Sequence, residues 1–212
     1  TECVIGEAFN VKALVSLNIG CVSFQQRYFA NGEITSKQFN RAIIAAKCEI
    51  EAIVKRFRKK GWQAAIGTSG TVKSINNIIN ADENIHRPIT LNALLSLKKT
   101  LIKSKNIEDI SIEGLKESRR EVICSGLAIL IALFEMLDIE DMQFCAESLR
   151  EGVLYQQLDM LRFQDIRQRT IDSLCERFAV DQNQAASVEE LAQSLLKDAK
   201  KDLKSYHKHL AG

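Results

Sequence analysis

Five consecutive residues, Gly67-Thr68-Ser69-Gly70-Thr71, carry the densest chemistry in the sequence. A short apolar run, residues 62–66, enters them as a strand, and a helical run from Val72 leaves them. Glycine lets a backbone turn sharply and come close to a ligand. The first amides of a helix have no internal partner and stand at the positive end of its dipole. With three hydroxyls alongside, this arrangement suits a phosphate or another anion. It is not a Walker A loop, because the two glycines are three apart and no Gly-Lys-Ser/Thr follows. A tight turn with Ser69 or Thr71 as helix cap uses the same residues, and pattern alone leaves the two readings level.

Other candidates are weaker taken singly. Arg119-Arg120 precedes an apolar helix, and an arginine fork matches a pair of phosphate oxygens. Pattern alone favours a solvated helix start paired with Glu117 or Glu121. Leu149-Arg150-Glu151-Gly152 follows a short strand and could line a cleft, although a surface patch explains it as well. The basic run Lys55-Arg56-Phe57-Arg58-Lys59-Lys60 ends a helix, where the dipole favours cations, and reads as a solvated face. Glu2, an acid beside the first strand, means nothing by itself. The six cysteines (3, 21, 48, 124, 145, 175) are never closer than eighteen positions, so no Cys-x-x-Cys pair exists. They read as reduced, buried thiols of a cytoplasmic protein. His86, His207 and His209 pair with no cysteine at ligand spacing, which argues against zinc and Cys–His catalysis.

These residues need a scaffold, and the bulk of the chain can supply one. Its 212 residues are 46% apolar and 26% charged, as expected of a folded domain rather than a disordered one. Twenty-nine basic residues against 27 acidic ones exclude a nucleic-acid binder driven by bulk charge. The longest apolar run, Gly126 to Phe134, is far short of the roughly 20 residues that cross a bilayer. No leader is visible, and a chain that opens on Thr1 is expected to be a piece of a longer protein.

Alternation at the start predicts a hairpin, strands 2–8 and 12–19, turning at Phe9-Asn10. A short helix follows over 21–29. Thr35 and Gln38 have capping-box spacing and open a helix that stops at Gly61. Further helices are expected over 72–80, from Thr90 to 103, from Ser118 to 137 and over 148–160, with a strand over 142–145. From residue 161 no strand-like run remains. Two helices fit there, 165–178 and 184–207, with Asp181 as a cap. Strands interleaved with helices in the first 160 residues indicate an α/β layer architecture, with a domain boundary near 160.

In combination the segments resemble the exopolyphosphatase/guanosine pentaphosphate phosphohydrolase family. The matching stretches are Thr1-Glu2-Cys3-Val4-Ile5-Gly6-Glu7, Gly20-Cys21-Val22-Ser23-Phe24, Gly61-Trp62 with Gly67 to Lys73, Gly126-Leu127-Ala128-Ile129-Leu130, Leu149 to Tyr155, and Gln164 to Thr170. They occur in the family's order and near its spacings. The resemblance implies an actin-like, sugar-kinase-like ATPase fold, in which residues 1–160 form the second of two RNase H-like domains facing a cleft. Residues 161–212 would then open an all-helical domain, and the first domain and its glycine loop would be missing.

The implied activity is Mg²⁺-dependent removal of terminal phosphate from inorganic polyphosphate. The alternatives are removal of the 5′ γ-phosphate from guanosine pentaphosphate, or a non-catalytic binding or scaffold role. By resemblance, Glu2 acts at the metal or the attacking water, Gly67, Thr68, Ser69, Gly70 and Thr71 form a phosphate loop, and Arg119 contacts phosphate. The isolated chain is expected to be inactive without its first domain, and a homodimer is left open. Glu147-Ser148 stand where relatives usually carry Gly-Ala, and an acid there would narrow an anion's path.

Overall fold

A computed structural model describes residues 1–7, 10–81, 87–148, 150–154, 171, 174–175 and 177–198. The chain divides into two compact units, Thr1–Ser148 and Leu149–Gly212. The boundary expected near 160 falls outside the described residues.

The first unit opens with the expected hairpin. Strands β1 (Glu2–Glu7) and β2 (Asn10–Ser16) pair antiparallel, with Glu2 opposite Ser16 and an irregularity between Ile5 and Gly6. Alternation sends Ile5, Ala13 and Leu17 into the core and leaves Val4 and Leu14 exposed on the other face. Val11, two residues before Ala13 in the alternation, is nevertheless exposed; beyond the irregularity it pairs with Gly6. The predicted turn at Phe9-Asn10 lies half outside the described residues, and β2 already begins at Asn10.

Helix α1 (Cys21–Tyr28) follows, then the long α2 (Ser36–Lys60). The capping box is formed: Gln38 N–H donates to Thr35 Oγ1 at 3.2 Å, and Thr35 N–H donates to Gln38 Oε1 at 3.0 Å. Gly61 ends α2 at φ 66°. One face of α2 is buried, through Phe39, Ala42, Ile43, Ala46, Ile50, Ile53 and Phe57, the three-and-four spacing of an amphipathic helix.

A second sheet holds β3 (Ile66–Gly67), β4 (Ile89–Thr90) and β5 (Asp141–Phe144) in the order β3-β5-β4, with β3 parallel and β4 antiparallel to the central β5. The strand expected over 62–66 is thus only two residues long and begins at its last expected residue. β5 is short, and its register pairs Ile66 with Gln143 and Gly67 with Phe144. β4 was not anticipated; two residues after Pro88 are too few for a periodic signal.

Helices α3 (Gly70–Ile79) and α4 (Leu91–Ser104) carry their predicted caps, Ser69 and Thr90. The helix expected from Ser118 is instead a 3₁₀ turn, Glu117–Arg119, and α5 (Ile123–Leu137) starts later. Helix α5 is the centre of the unit. Every residue from Ile123 to Phe134 is buried, and α1, α2, α3 and α4 pack around it. At its C-terminus Arg58 donates from Nε and Nη2 to Met136 O at 3.1 and 2.8 Å, tying α5 to the end of α2.

In the second unit residues 150–154 are helical, as is α6 (Gln182–Asp198). Asp181 caps α6 as expected, accepting from Asn183 and Gln184 N–H at 2.9 and 3.2 Å. Most of the helix expected over 165–178, and everything beyond 198, lie outside the described residues. Among the described residues no helix is long and apolar enough to cross a membrane.

Candidate functional site

The loop at 67–71 joins β3 to α3 at the C-terminal edge of the β3-β5-β4 sheet. Gly67 is buried, Thr68, Ser69 and Gly70 are exposed, and Thr71 is half-buried. The three hydroxyls have separate duties. Ser69 Oγ accepts from Val72 N–H at 3.2 Å, so it is the helix cap. Thr71 is turned toward α5, where its side chain packs against Gly126. Thr68 is exposed, and among the described residues its hydroxyl makes no hydrogen bond. The first bond of α3 runs from Lys73 N–H to Ser69 O at 2.9 Å, so the Gly70 and Thr71 amides precede the ladder. No acid occupies that first turn.

Arg119 completes this group. A Cβ at Gly70 would stand 2.7 Å from Arg119 Nη2 and 2.9 Å from Cζ, so the guanidinium lies directly across Gly70. Arg119 is exposed, and among the described residues no hydrogen bond or ion pair holds its side chain, although its backbone N–H donates to Lys116 O at 2.9 Å. Its neighbour Arg120 is engaged, at 2.9 Å from Glu117 Oε2. The structure thus brings the predicted loop and the predicted arginine together. It presents two open amides, one hydroxyl and one guanidinium on one surface, which is a donor set for phosphoryl oxygens.

Two residues of α5 lie behind this arrangement: Gly126, which the sequence marked only as part of a matching stretch, and Ser125, which it passed over. Gly126 lets Thr71 approach α5: a Cβ there would collide with Thr71 Cγ2 and come within 2.8 Å of its Oγ1. Ser125, fully buried, places Oγ 2.7 Å from Cys21 O and 3.0 Å from Val122 O. The first turns of α1, α3 and α5 therefore abut. A serine and a glycine inside an otherwise apolar helix are the available signal, since each marks a close approach or a polar tie.

Glu2 stands apart. It is exposed on β1, opposite Ser16, whose Oγ lies 3.5 Å from Glu2 Oε1. Among the described residues no hydrogen bond, ion pair or ring contact joins it to the loop. Among the described residues no group of three or more His, Cys, Asp or Glu is placed to hold a metal.

Cys145 N–H donates to Gly67 O at 3.0 Å, which lays the 145–148 segment beside the loop. Its thiol is 2.9 Å from Glu147 Oε2, and that hydrogen bond raises the thiol pKa. Glu147 is exposed. Arg150 and Glu151 belong to the second unit, and Leu149 lies outside the described residues. The expectation of buried thiols needs correction. Only Cys124 is buried, its pKa pushed up to about 12 by desolvation; Cys48 is exposed, because it falls on the solvent side of α2.

Residues 1–161 match the model of the Ppx/GppA phosphatase family. The chain belongs to that family. This Ppx/GppA chain is 47% identical, over 92% of its length, to the guanosine-5′-triphosphate,3′-diphosphate pyrophosphatase of Pseudoalteromonas translucida. It is 41% identical, over 92%, to the Vibrio cholerae protein of the same name. It covers 39% of each, so the chain spans about two fifths of the relatives it matches. Among solved structures, the Aquifex aeolicus Ppx/GppA family member aligns with 77% of this chain and 54% of its own, at TM-score 0.66 and 19% identity. An exopolyphosphatase from Cytophaga hutchinsonii aligns with 74% of this chain and 53% of its own, at TM-score 0.63 and 20% identity. The mixed α/β fold of this Ppx/GppA chain is thus the fold of those proteins.

Proposed function

We propose that this chain is the phosphate-holding part of a phosphoanhydride hydrolase that removes the 5′-terminal phosphate of guanosine 5′-triphosphate,3′-diphosphate. The observation that carries the reading is Arg119 lying across Gly70 at the open N-terminus of α3. Hydrolysis of a phosphoanhydride is mostly a matter of holding phosphoryl oxygens and neutralising charge. In this reading the Gly70 and Thr71 amides, the Thr68 hydroxyl and the Arg119 guanidinium do the holding.

Glu2 is the carboxylate that orients water or holds Mg²⁺. Magnesium is usually bound through one or two carboxylates completed by substrate phosphates and water, so a single exposed Glu2 fits that pattern. When bound, the ion spreads charge off the phosphates. The same reading assigns residues 1–160 to the second RNase H-like domain of an actin-like ATPase fold and the rest to a helical domain. The opposing domain would supply the other wall of the cleft, and the isolated chain would be inactive.

The relatives' names favour the guanosine compound over inorganic polyphosphate, the substrate that the sequence resemblance placed first. Polyphosphate stays as the second reading on the likeness to the C. hutchinsonii exopolyphosphatase. The test is phosphate release by a full-length protein carrying this segment, with Mg²⁺ and each substrate in turn. The expected result is release from the guanosine compound that falls steeply, to a small measurable residue, in Glu2→Gln. Release from polyphosphate alone would move the assignment to the second reading. Release from neither would overturn hydrolysis.

A further inference from the structure

The two halves of the proposed site stand on different sheets. Glu2 is on the β1–β2 hairpin and the proposed phosphate loop leaves β3, and among the described residues no strand pairing connects those sheets. Their relative position is set by what lies between them. Thr1 Oγ1 donates to Ile19 O at 2.7 Å and Leu17 N–H donates to Thr1 O at 2.8 Å, so the start of β1 is pinned to the segment entering α1. That segment runs through Gly20 to Cys21. Cys21 O accepts from Ser125 Oγ, and the next residue, Gly126, receives the side chain of Thr71. An unbroken route therefore leads from Glu2 to the phosphate loop, and Ser125 is its polar joint.

Apolar packing resists separation but has no preferred direction, so helices packed only through their apolar surfaces can slide. A hydrogen bond has a narrow range of distance and angle. Ser125 has one proton to give, and its shorter contact is the long-range one, 2.7 Å to Cys21 O against 3.0 Å to the local Val122 O. Among the described residues, the other hydrogen bond at the first turn of α5, Gly126 N–H to Val122 O at 3.0 Å, is local to that helix. Gly20 offers α1 no side-chain cap, and the bonds of its first turn, from Phe24 N–H and Ser23 Oγ to Gly20 O at 3.0 and 3.1 Å, are local, so they leave its place against α5 open.

We propose that Ser125 is a positioning residue that registers Glu2 against the Ser69–Thr71 loop. The proposal rests on the hydrolase reading above. Its role is in the alignment of carboxylate and phosphate, not in phosphate binding, because its hydroxyl bonds Cys21 O and Val122 O and makes no hydrogen bond to the loop, its cap or Arg119.

The experiment is a double-mutant cycle in a full-length protein carrying this segment, with Ser125→Ala and Glu2→Gln. Ser125→Ala is expected to lower kcat by roughly tenfold to a hundredfold, the effect of a misplacement of about 1 Å, and to leave KM within about twofold. In the Glu2→Gln background it is expected to lower kcat no further. The nearly isosteric Ser125→Cys, which keeps a weak donor, is expected to fall between wild type and Ser125→Ala at an unchanged melting temperature. Multiplicative losses in the double mutant, or a raised KM with kcat unchanged, would overturn the positioning role and leave the hydrolase reading intact. Absence of hydrolysis in the wild-type protein would remove both.

Discussion

The guanidinium of Arg119 lies across Gly70, with Nη2 2.7 Å and Cζ 2.9 Å from where a Cβ would stand. Forty-nine positions separate the two residues, yet the first turn of α3 and the 3₁₀ turn before α5 meet there. A side chain at position 70 and the arginine cannot both occupy that space.

Gly70→Ala is therefore expected to displace Arg119 without harming the fold, since the clash is with the far end of an exposed, flexible side chain. Arg119→Ala should reproduce the effect. A hydrogen bond to a charged group contributes about 1.5–3 kcal/mol, so either variant should weaken phosphate-compound binding on the order of tenfold or more. Isothermal titration with the guanosine compound measures this, and thermal melting should show at most a small shift. A large loss of melting temperature in Gly70→Ala would show that the close approach is structural.

Gly126→Ala is expected to behave in the opposite way. Its Cβ would enter the half-buried Thr71 side chain at the fully buried start of α5, where neither neighbour can swing into solvent. Overpacking of this kind typically costs about 1–3 kcal/mol. Chemical denaturation should show that loss, and Thr71→Ser in the same chain should recover part of it by removing the colliding methyl.

Leu127→Ala should be severe. Leu127 is fully buried one residue further along α5. Truncation there is expected to cost about 2–5 kcal/mol, through lost burial and the cavity left behind. A midpoint shift in urea at unchanged slope would confirm a pure stability effect.

Cys124 gives a pH signature. Burial raises its pKa from 9.0 to about 12. A folded-state pKa above the unfolded one favours the protonated thiol in the native state. Its contribution to stability is thus intact below pH 9 and is lost as pH rises from there toward 12. Cys124→Ala should flatten that part of the stability profile. Under native conditions at pH 8, alkylation should reach exposed Cys48 and spare Cys124.

What could be read from the sequence follows the range of the interactions. The Thr35–Gln38 capping box, the Ser69 and Thr90 caps and the Gly61 stop each depend on three or four neighbouring residues, and all are present. The loop at 67–71 and Arg119 were nameable as chemistry. Their contact was not, because it depends on α5 packing against α3. Ser125 escaped notice for the same reason, since its partner is 104 positions away. Trp62 to Ile66 looked like a longer strand because its composition is apolar, but ladder length is set by the partner, and β5 offers Ile66 and Gly67 only two places.

The all-round burial of α5 also bears on how the molecule is made. A helix with no polar stripe cannot settle at a surface while it waits. On a ribosome α1 through α4 emerge first, and the helix they pack against is absent until residue 137 has left the tunnel. During that interval the run from Gly126 to Phe134 is a candidate for chaperone capture or aggregation. Its insertion closes the core and, in the same event, brings Arg119 to Gly70 and Ser125 to Cys21. The surface proposed to meet phosphate therefore forms only once α5 is in place.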